Sequence, residues 1–190
     1  MGGAKSVTRF FVTSRGSGHG ADLGGLAGAD AHCQSLAQAE GSGDHTWRAY
    51  LSVQAADGQP AVNARDRIGN GPWYNALGDR VAVDLQDLHR APDVLTRENA
   101  LTERGDMLDG AATDVLTGSR SDGTAFPAGA DRTCHNWSSD RDGHAAVGHV
   151  SDRQKQGTPR SWNAAGVSNG CSERDIRAAG GGRFYCFAID

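Results

Sequence analysis

The sequence contains no long apolar run and no excess of basic residues. None of its hydrophobic stretches approaches the length of a membrane span. Met1 and the three residues after it are not followed by the apolar core of a signal peptide, so an exported form would carry its signal ahead of this sequence. The formal net charge is −4, and Lys5 and Lys155 are the only lysines. A basic face for nucleic acid is therefore not expected.

Paired cysteine motifs are also missing. The four cysteines, Cys33, Cys134, Cys171 and Cys186, contain no C-x-x-C pair, which argues against a zinc knuckle or a thioredoxin motif. An even number of widely spaced cysteines fits two disulfides and an oxidising compartment, with the pairing left open. The alternative is four reduced, buried cysteines in a cytosolic protein.

Glycine, by contrast, is abundant. The chain has 27 glycines in 190 residues, and hydrophobic residues make up only 37%. This glycine share is about twice the usual one and favours turns and irregular loops over a helical bundle. The length fits a single domain over residues 1–190, and we expect residues 1–8 to form a flexible tail.

Hydrophobic patterns predict one main helix and several short strands. The helix covers residues 28–39, with Ala29, Cys33, Leu36 and Ala37 on its buried face. The last stretch, residues 183–190, is apolar on both faces and predicts a central strand. Other strands are predicted at residues 9–13, 47–53, 114–118, 133–137 and 145–148, and a short helical turn at residues 72–77.

The positions of the cysteines resemble those of the C-type-lectin-like fold. Cys33 lies on the first helix, Cys134 shortly precedes a tryptophan, Cys171 follows a Trp-Asn pair, and Cys186 lies in the last strand. In that family the first-helix and last-strand cysteines pair, and so do the two middle ones. The resemblance therefore implies the disulfides Cys33–Cys186 and Cys134–Cys171.

Four stretches are more closely similar to the endostatin domain of collagens, a branch of the same fold. They occur in the same order, as residues 28–34, residues 47–52, residues 61–66 followed by Pro72-Trp73, and residues 118–123 leading to residues 134–137. The resemblance implies an α+β domain of small twisted antiparallel sheets with one main helix, long loops and two disulfides. The glycine-rich style is also similar to secreted bacterial members of the superfamily.

The sugar-binding motifs of calcium-dependent C-type lectins are absent. There is no Glu-Pro-Asn or Gln-Pro-Asp triplet, and the Trp-Asn-Asp element appears only as Trp162-Asn163-Ala164. Calcium takes about six to eight oxygen ligands, so the usual calcium-dependent sugar site is not expected. Residues 1–18 hold no histidine, so the zinc site of endostatin is not carried over.

One cluster could nevertheless hold a metal ion. His144, His149 and Asp152 lie close in sequence, with Asp140 and Asp142 just upstream. Imidazole and carboxylate groups together could bind zinc, and the aspartates could bind calcium. The alternative, which we favour, is a polar, solvated loop without a metal.

The candidate ligand-binding residues are Trp73, Tyr74, Arg120, Asp122 and Asn163. Trp73 and Tyr74 follow a glycine-rich turn and are candidates for an exposed aromatic platform, whereas the other three tryptophans are expected to be buried. The remaining candidates fall in the long-loop region, residues 119–170, where a stable scaffold can carry binding loops.

These features predict a non-catalytic ligand-binding module. It would be secreted, at the cell surface or periplasmic, and would bind a glycan or an extracellular protein through its long loops, as in cell adhesion. One alternative is a zinc-dependent enzyme that uses His144, His149 and Asp152. Another is a structural module of an extracellular matrix or envelope.

Overall fold

A computed structural model of the chain describes residues 4–110, 113–152 and 160–190. They form an α+β fold of small antiparallel sheets, one long helix and long loops, as expected. The strands are β1 Phe10–Val12, β2 Trp47–Ala49, β3 Trp73–Tyr74, β4 Arg80–Ala82, β5 Asp114–Leu116, β6 Ala146–His149, β7 Gly166–Val167 and β8 Tyr185–Ala188. The helices are α1 Gly25–Ala39, a 3₁₀ helix Ala64–Asp66, α2 Leu85–Leu88, α3 Cys134–Trp137 and α4 Glu173–Ala179.

The central sheet has β8 between two antiparallel neighbours, in the order β1-β8-β2. Phe10 pairs with Phe187 on one side, and Ala49 pairs with Cys186 on the other. Every residue of β8 is buried. The prediction of a central last strand is therefore confirmed, because apolar side chains on both faces need cover on both faces.

Helix α1 packs against β2 and presents its predicted face to the core. Ala29, Cys33, Leu36 and Ala37 are its buried residues. The helix begins at Gly25, three residues earlier than predicted, and neither a side-chain cap nor an acidic residue supports its first turn. Tertiary packing and the Cys33–Cys186 disulfide must therefore hold this helix in place.

A second sheet, in the order β5-β6-β7, is joined to the first near the end of the chain. Leu116 of β5 forms a parallel bridge to Phe184, which directly precedes β8. The second disulfide, Cys134–Cys171, connects α3 to the segment before α4. Both cysteine pairs are those that the resemblance implied, and all four cysteines are buried.

Two predicted elements are wrong. Residues 133–137 were expected to be a strand, but Cys134–Trp137 form a turn of left-handed helix in which φ lies between 47° and 66°. Residues 72–77 were expected to be a helical turn, but Trp73–Tyr74 form β3, which pairs with β4. In both places hydrogen bonds to other segments override the local preference.

The expected N-terminal tail makes several contacts where the structure describes it. The Ser6 backbone N–H donates to the Asp44 carboxylate over 2.7 Å, and His45 Nε2 donates to the Ser6 carbonyl over 2.7 Å. Thr8 is buried. Within the described ranges, none of the helices combines the length and apolar character that a membrane span needs.

Candidate functional site

The predicted aromatic platform is wrong for Trp73. Its side chain is fully buried, its ring lies edge-on to Phe187, and its Nε1 donates to the Ala188 carbonyl over 3.3 Å. Tyr74 is half-buried and lines a cavity beside Arg9. The other three tryptophans, Trp47, Trp137 and Trp162, are buried as predicted.

The candidate metal-binding residues do not form a metal site among the described residues. His149 Nδ1 lies 2.6 Å from Asp114 Oδ1, whereas His144 Nδ1 lies 3.0 Å from the Ser168 carbonyl. The two histidines are five residues apart along extended chain, which separates them by about 16 Å. Within the described ranges, which include His144, His149 and Asp152, no group of three or more His, Cys, Asp or Glu side chains could hold a metal ion.

A pocket in the long-loop region brings two of the predicted residues, Asp122 and Asn163, together. Its volume is about 270 Å³. It lies between the end of α2 and the turn that joins Ser119 to Ala125, which we call the 119–125 turn. The lining consists of His89, Arg90, Ala91, Pro92, Ser121, Asp122, Ser161 and Asn163. Arg120 is exposed on the same turn.

A chain of hydrogen bonds forms the inner wall of this pocket. His89 Nδ1 lies 2.8 Å from the Leu85 carbonyl, which can only accept, so Nδ1 carries the proton. His89 Nε2 must then accept, and its donor is the Tyr50 hydroxyl at 2.8 Å. Asn163 Nδ2 donates to the same hydroxyl over 3.0 Å, and Ser161 Oγ donates to Asn163 Oδ1 over 2.9 Å.

Burial keeps both titratable groups of this wall neutral. It raises the pKa of the Tyr50 phenol well above its ordinary value, against the bonds from Asn163 and Ser119. It also lowers the pKa of His89, and the nearby Arg65 charge acts in the same direction. The bond to Leu85 and the charge of Asp122 oppose that shift. The wall therefore consists of neutral donors and acceptors at neutral pH.

Asn163 is part of the scaffold and does not offer a free amide to a ligand. It is 1% exposed, and its Nδ2 also reaches the carbonyls of Ser121 at 3.1 Å and Arg120 at 3.3 Å. These bonds attach the 119–125 turn to the segment after Trp162. The prediction that Asn163 contacts a ligand directly is therefore wrong, although the residue shapes the pocket.

Further bonds fix the 119–125 turn from its other side. The Arg65 backbone N–H donates to the Gly123 carbonyl over 3.1 Å, and Arg65 Nη1 donates to the Asp122 carbonyl over 2.9 Å. The Ala125 N–H donates to Asn63 Oδ1 over 2.9 Å. The turn is thus anchored by the scaffold on both sides.

Asp122 provides an exposed carboxylate at the pocket rim. Its Oδ1 accepts from the Thr124 hydroxyl at 2.6 Å and from the Thr124 N–H at 3.0 Å. These two bonds are the main reason why the pKa of Asp122 lies below its ordinary value, and the charges of Arg120 and Arg65 add to them. Asp122 is therefore negatively charged at neutral pH, and Oδ2 can accept hydrogen bonds from a ligand.

Of the inner wall, the sequence patterns identified only Asn163. Tyr50 stands out only as part of a stretch similar to endostatin, and His89 and Ser161 carry no signal of their own. Their roles depend on bonds between residues far apart in sequence, such as that of Asn163 to Tyr50. No protein-family model matches this chain, and no curated protein matches it.

Proposed function

We propose that this chain is a non-catalytic module that binds its ligand outside the cytoplasm, in the pocket beside the 119–125 turn. The observation that carries the proposal is the fixed geometry of this pocket. Each side chain of its wall is held by bonds to the scaffold, as Asn163 is to Tyr50 and Ser121. A site that is ordered before binding loses little conformational entropy when its ligand arrives.

The chemistry of the rim favours a ligand rich in hydroxyl groups. Asp122 can accept hydrogen bonds, and the Ser121 hydroxyl can both donate and accept. Arg90 bonds Asp87 through Nε at 2.7 Å, which leaves further guanidinium donors for a ligand. The volume of about 270 Å³ lies just below the usual range for drug-sized ligands. One sugar residue of a glycan fits this description best.

The cysteines support both the location and the fold in this proposal. All four are paired in disulfides, which persist in oxidising compartments such as the cell exterior and the periplasm. The pairing of the first helix with the last strand is also that of C-type-lectin-like domains. We propose membership of that superfamily, near the endostatin branch, on this pairing and on the four similar stretches.

A glycan array compared between two variants tests this proposal. Asp122→Asn removes the rim charge but keeps the shape of the side chain, and we expect it to weaken binding by about tenfold, the effect of losing one charge-assisted hydrogen bond. Asp109→Asn is the matched control, because Asp109 is exposed and does not line the pocket. Binding should survive a chelator, since no metal-holding group occurs among the described residues.

Other results would change or overturn the proposal. Binding to a surface protein but not to glycans, with the same loss in Asp122→Asn, would identify a protein partner for this pocket. Equal binding by Asp122→Asn and Asp109→Asn would place the site elsewhere. Failure to bind either class of ligand would contradict the binding function and favour a structural module.

A further inference from the structure

The 119–125 turn rests directly on the titratable ring of His89. A Cβ atom added to Gly123 would lie 2.6 Å from His89 Nε2 and 3.0 Å from the Tyr50 hydroxyl. The His89 ring also stacks at an angle on Trp162, with centroids 5.5 Å apart. The same ring nitrogen therefore accepts from the buried wall and faces the backbone of the turn.

We propose that protonation of His89 releases the 119–125 turn, so that the turn is held in place and the pocket is ordered at neutral pH, whereas the turn opens in mildly acidic surroundings. The turn would act as a pH-sensitive latch. The significance of such a latch for ligand release rests on the function proposed above. The movement itself can be measured without any ligand.

A proton on Nε2 conflicts with the donor directions of the wall. His89 Nδ1 already donates to the Leu85 carbonyl, so the added proton would point at the Tyr50 hydroxyl. The Tyr50 oxygen could accept it only if the phenol hydrogen turned away from Nε2. Asn163 already donates to that oxygen, and Tyr50 is fully buried, so the displaced hydrogen could turn only towards the Ser119 hydroxyl, which would have to accept from Tyr50 in place of its present bond. A protonated ring in its present position therefore requires the hydrogen bonds of the wall to be rearranged, which disfavours the closed arrangement.

The charges around the His89 ring both raise and lower its pKa. Arg65 repels a proton on His89, and Asp122 attracts it. On the α2 side, Asp87 and Arg90 form an ion pair over 2.7 Å. The ring also contacts Tyr50 and the neutral Trp162, and its remaining faces meet Gly123 and the pocket. Burial is the largest influence on the pKa of His89, and it disfavours the charged ring.

The direction of the pH effect follows from this arrangement. Burial holds the pKa of His89 in the closed state below its ordinary value of 6.5. An open state that exposes the ring binds the proton more readily, so closure is favoured above pH 6.5 and is lost as the pH falls below it. The population of the open state should rise by about tenfold for each pH unit over which only the open state is protonated.

Opening has defined structural consequences. The turn cannot adjust by small shifts, because Gly123 also approaches the Arg65 side chain, where an added Cβ would lie 2.7 Å from the Arg65 Cβ. Release would break the bond from the Arg65 N–H to the Gly123 carbonyl and the bonds from Asn163 to Ser121 and Arg120. The backbone amides of Arg65 and Gly123 therefore report on the latch.

An NMR pH titration of the whole chain tests the proposal. We expect the His89 ring resonances and the amide resonances of Arg65 and Gly123 to shift with one shared midpoint below about pH 6.5. Hydrogen-exchange protection of the Arg65 amide should fall by about tenfold or more between about pH 7 and pH 5. His89→Gln should abolish the shared transition. His135→Gln, a change at an exposed histidine, should retain it.

Two outcomes would overturn the latch. In one, His89 stays neutral down to about pH 4, below the range of a physiological histidine switch. In the other, the ring becomes protonated while the amides of Arg65 and Gly123 do not move. The wild-type titration decides between these results even if His89→Gln does not fold. A shared transition in a chain that binds no ligand would support the latch and reject the proposed function. Ligand binding that does not depend on pH, in a chain whose turn does not move, would support the proposed function and reject the latch.

Discussion

At the scale of single residues, Gly123 has two separate reasons to be glycine. Its φ angle is +83°, in the left-handed region, and an added Cβ would lie 2.6–3.0 Å from atoms of His89, Arg65 and Tyr50. The angle alone would cost another residue about 1–2 kcal/mol. The close contacts would add overpacking, because the neighbouring atoms belong to the anchored inner wall of the pocket.

These two costs can be separated with a second glycine. Gly123→Ala should lower the free energy of unfolding by about 2–4 kcal/mol, from the left-handed angle and the clash together. Gly18→Ala should lower it by only about 1–2 kcal/mol, because Gly18 has a φ of +84° but no atom within 4 Å of an added Cβ. Urea denaturation of both variants measures the difference. Equal losses would show that the turn is not packed on the His89 wall.

At the scale of elements, the left-handed turn α3 depends on distant partners. The Thr133 hydroxyl caps it by accepting from the Asn136 N–H over 3.1 Å. Asn136 Oδ1 accepts from the Gln54 N–H, Asn136 Nδ2 donates to the Gln54 carbonyl, and Trp137 Nε1 donates to the Ser52 carbonyl. With the disulfide at Cys134, these bonds offset a backbone conformation that costs about 1–2 kcal/mol per residue.

Exchanging His135 for glycine or alanine tests the handedness of this turn. His135 has φ 53° and ψ 50°, and its side chain is 59% exposed. Both variants lose the same contact to Asp131. We expect His135→Gly to be more stable than His135→Ala by about 1 kcal/mol in urea denaturation, because glycine tolerates the left-handed region. In a right-handed helix the order would be reversed by about 1 kcal/mol, so a more stable alanine variant would contradict the turn.

Local patterns predicted those elements whose stability is set by their own buried face. The face of α1 could be assigned because Ala29, Cys33, Leu36 and Ala37 repeat at helical spacing, and β8 because its apolar run has no polar face. The turn α3 could not be predicted in this way. Its conformation is imposed by Gln54 and Ser52, about 80 residues earlier in the chain.

At the scale of the whole molecule, stretches similar to endostatin meet around one polar cluster. Tyr50 and Ser52 come from the second stretch, and the 3₁₀ helix Ala64–Asp66 from the third. Ser52 Oγ accepts from the Ala64 N–H over 2.9 Å and donates to Ser119 Oγ over 3.4 Å. The similarity thus marked Tyr50 of the pocket wall and Ser121 and Asp122 of the lining. It could not identify His89, residues 90–92 or Ser161, because these lining residues lie outside the similar stretches.

The two disulfides close loops of very different size within this architecture. Cys33 and Cys186 are 153 residues apart and join α1 to the middle strand of the central sheet, whereas Cys134 and Cys171 are 37 residues apart. In the chain-entropy model these loops correspond to about 5 and about 4 kcal/mol of stabilisation. Because all four cysteines are fully buried, a thiol reagent can reach them only after the packing around them has opened.

This burial predicts how the protein responds to a reductant. Dithiothreitol should leave both disulfides intact under native conditions, and both should be reduced over the same range of urea concentration in which tryptophan fluorescence reports unfolding. The physical reason is that exposing Cys186 requires α1 to separate from β8, the central strand of the sheet. Alkylation of free thiols followed by mass mapping measures each pair separately, and fully unfolded protein in urea is the positive control. Reduction of Cys134–Cys171 without urea would contradict the prediction and show that the loop region opens independently of the central sheet.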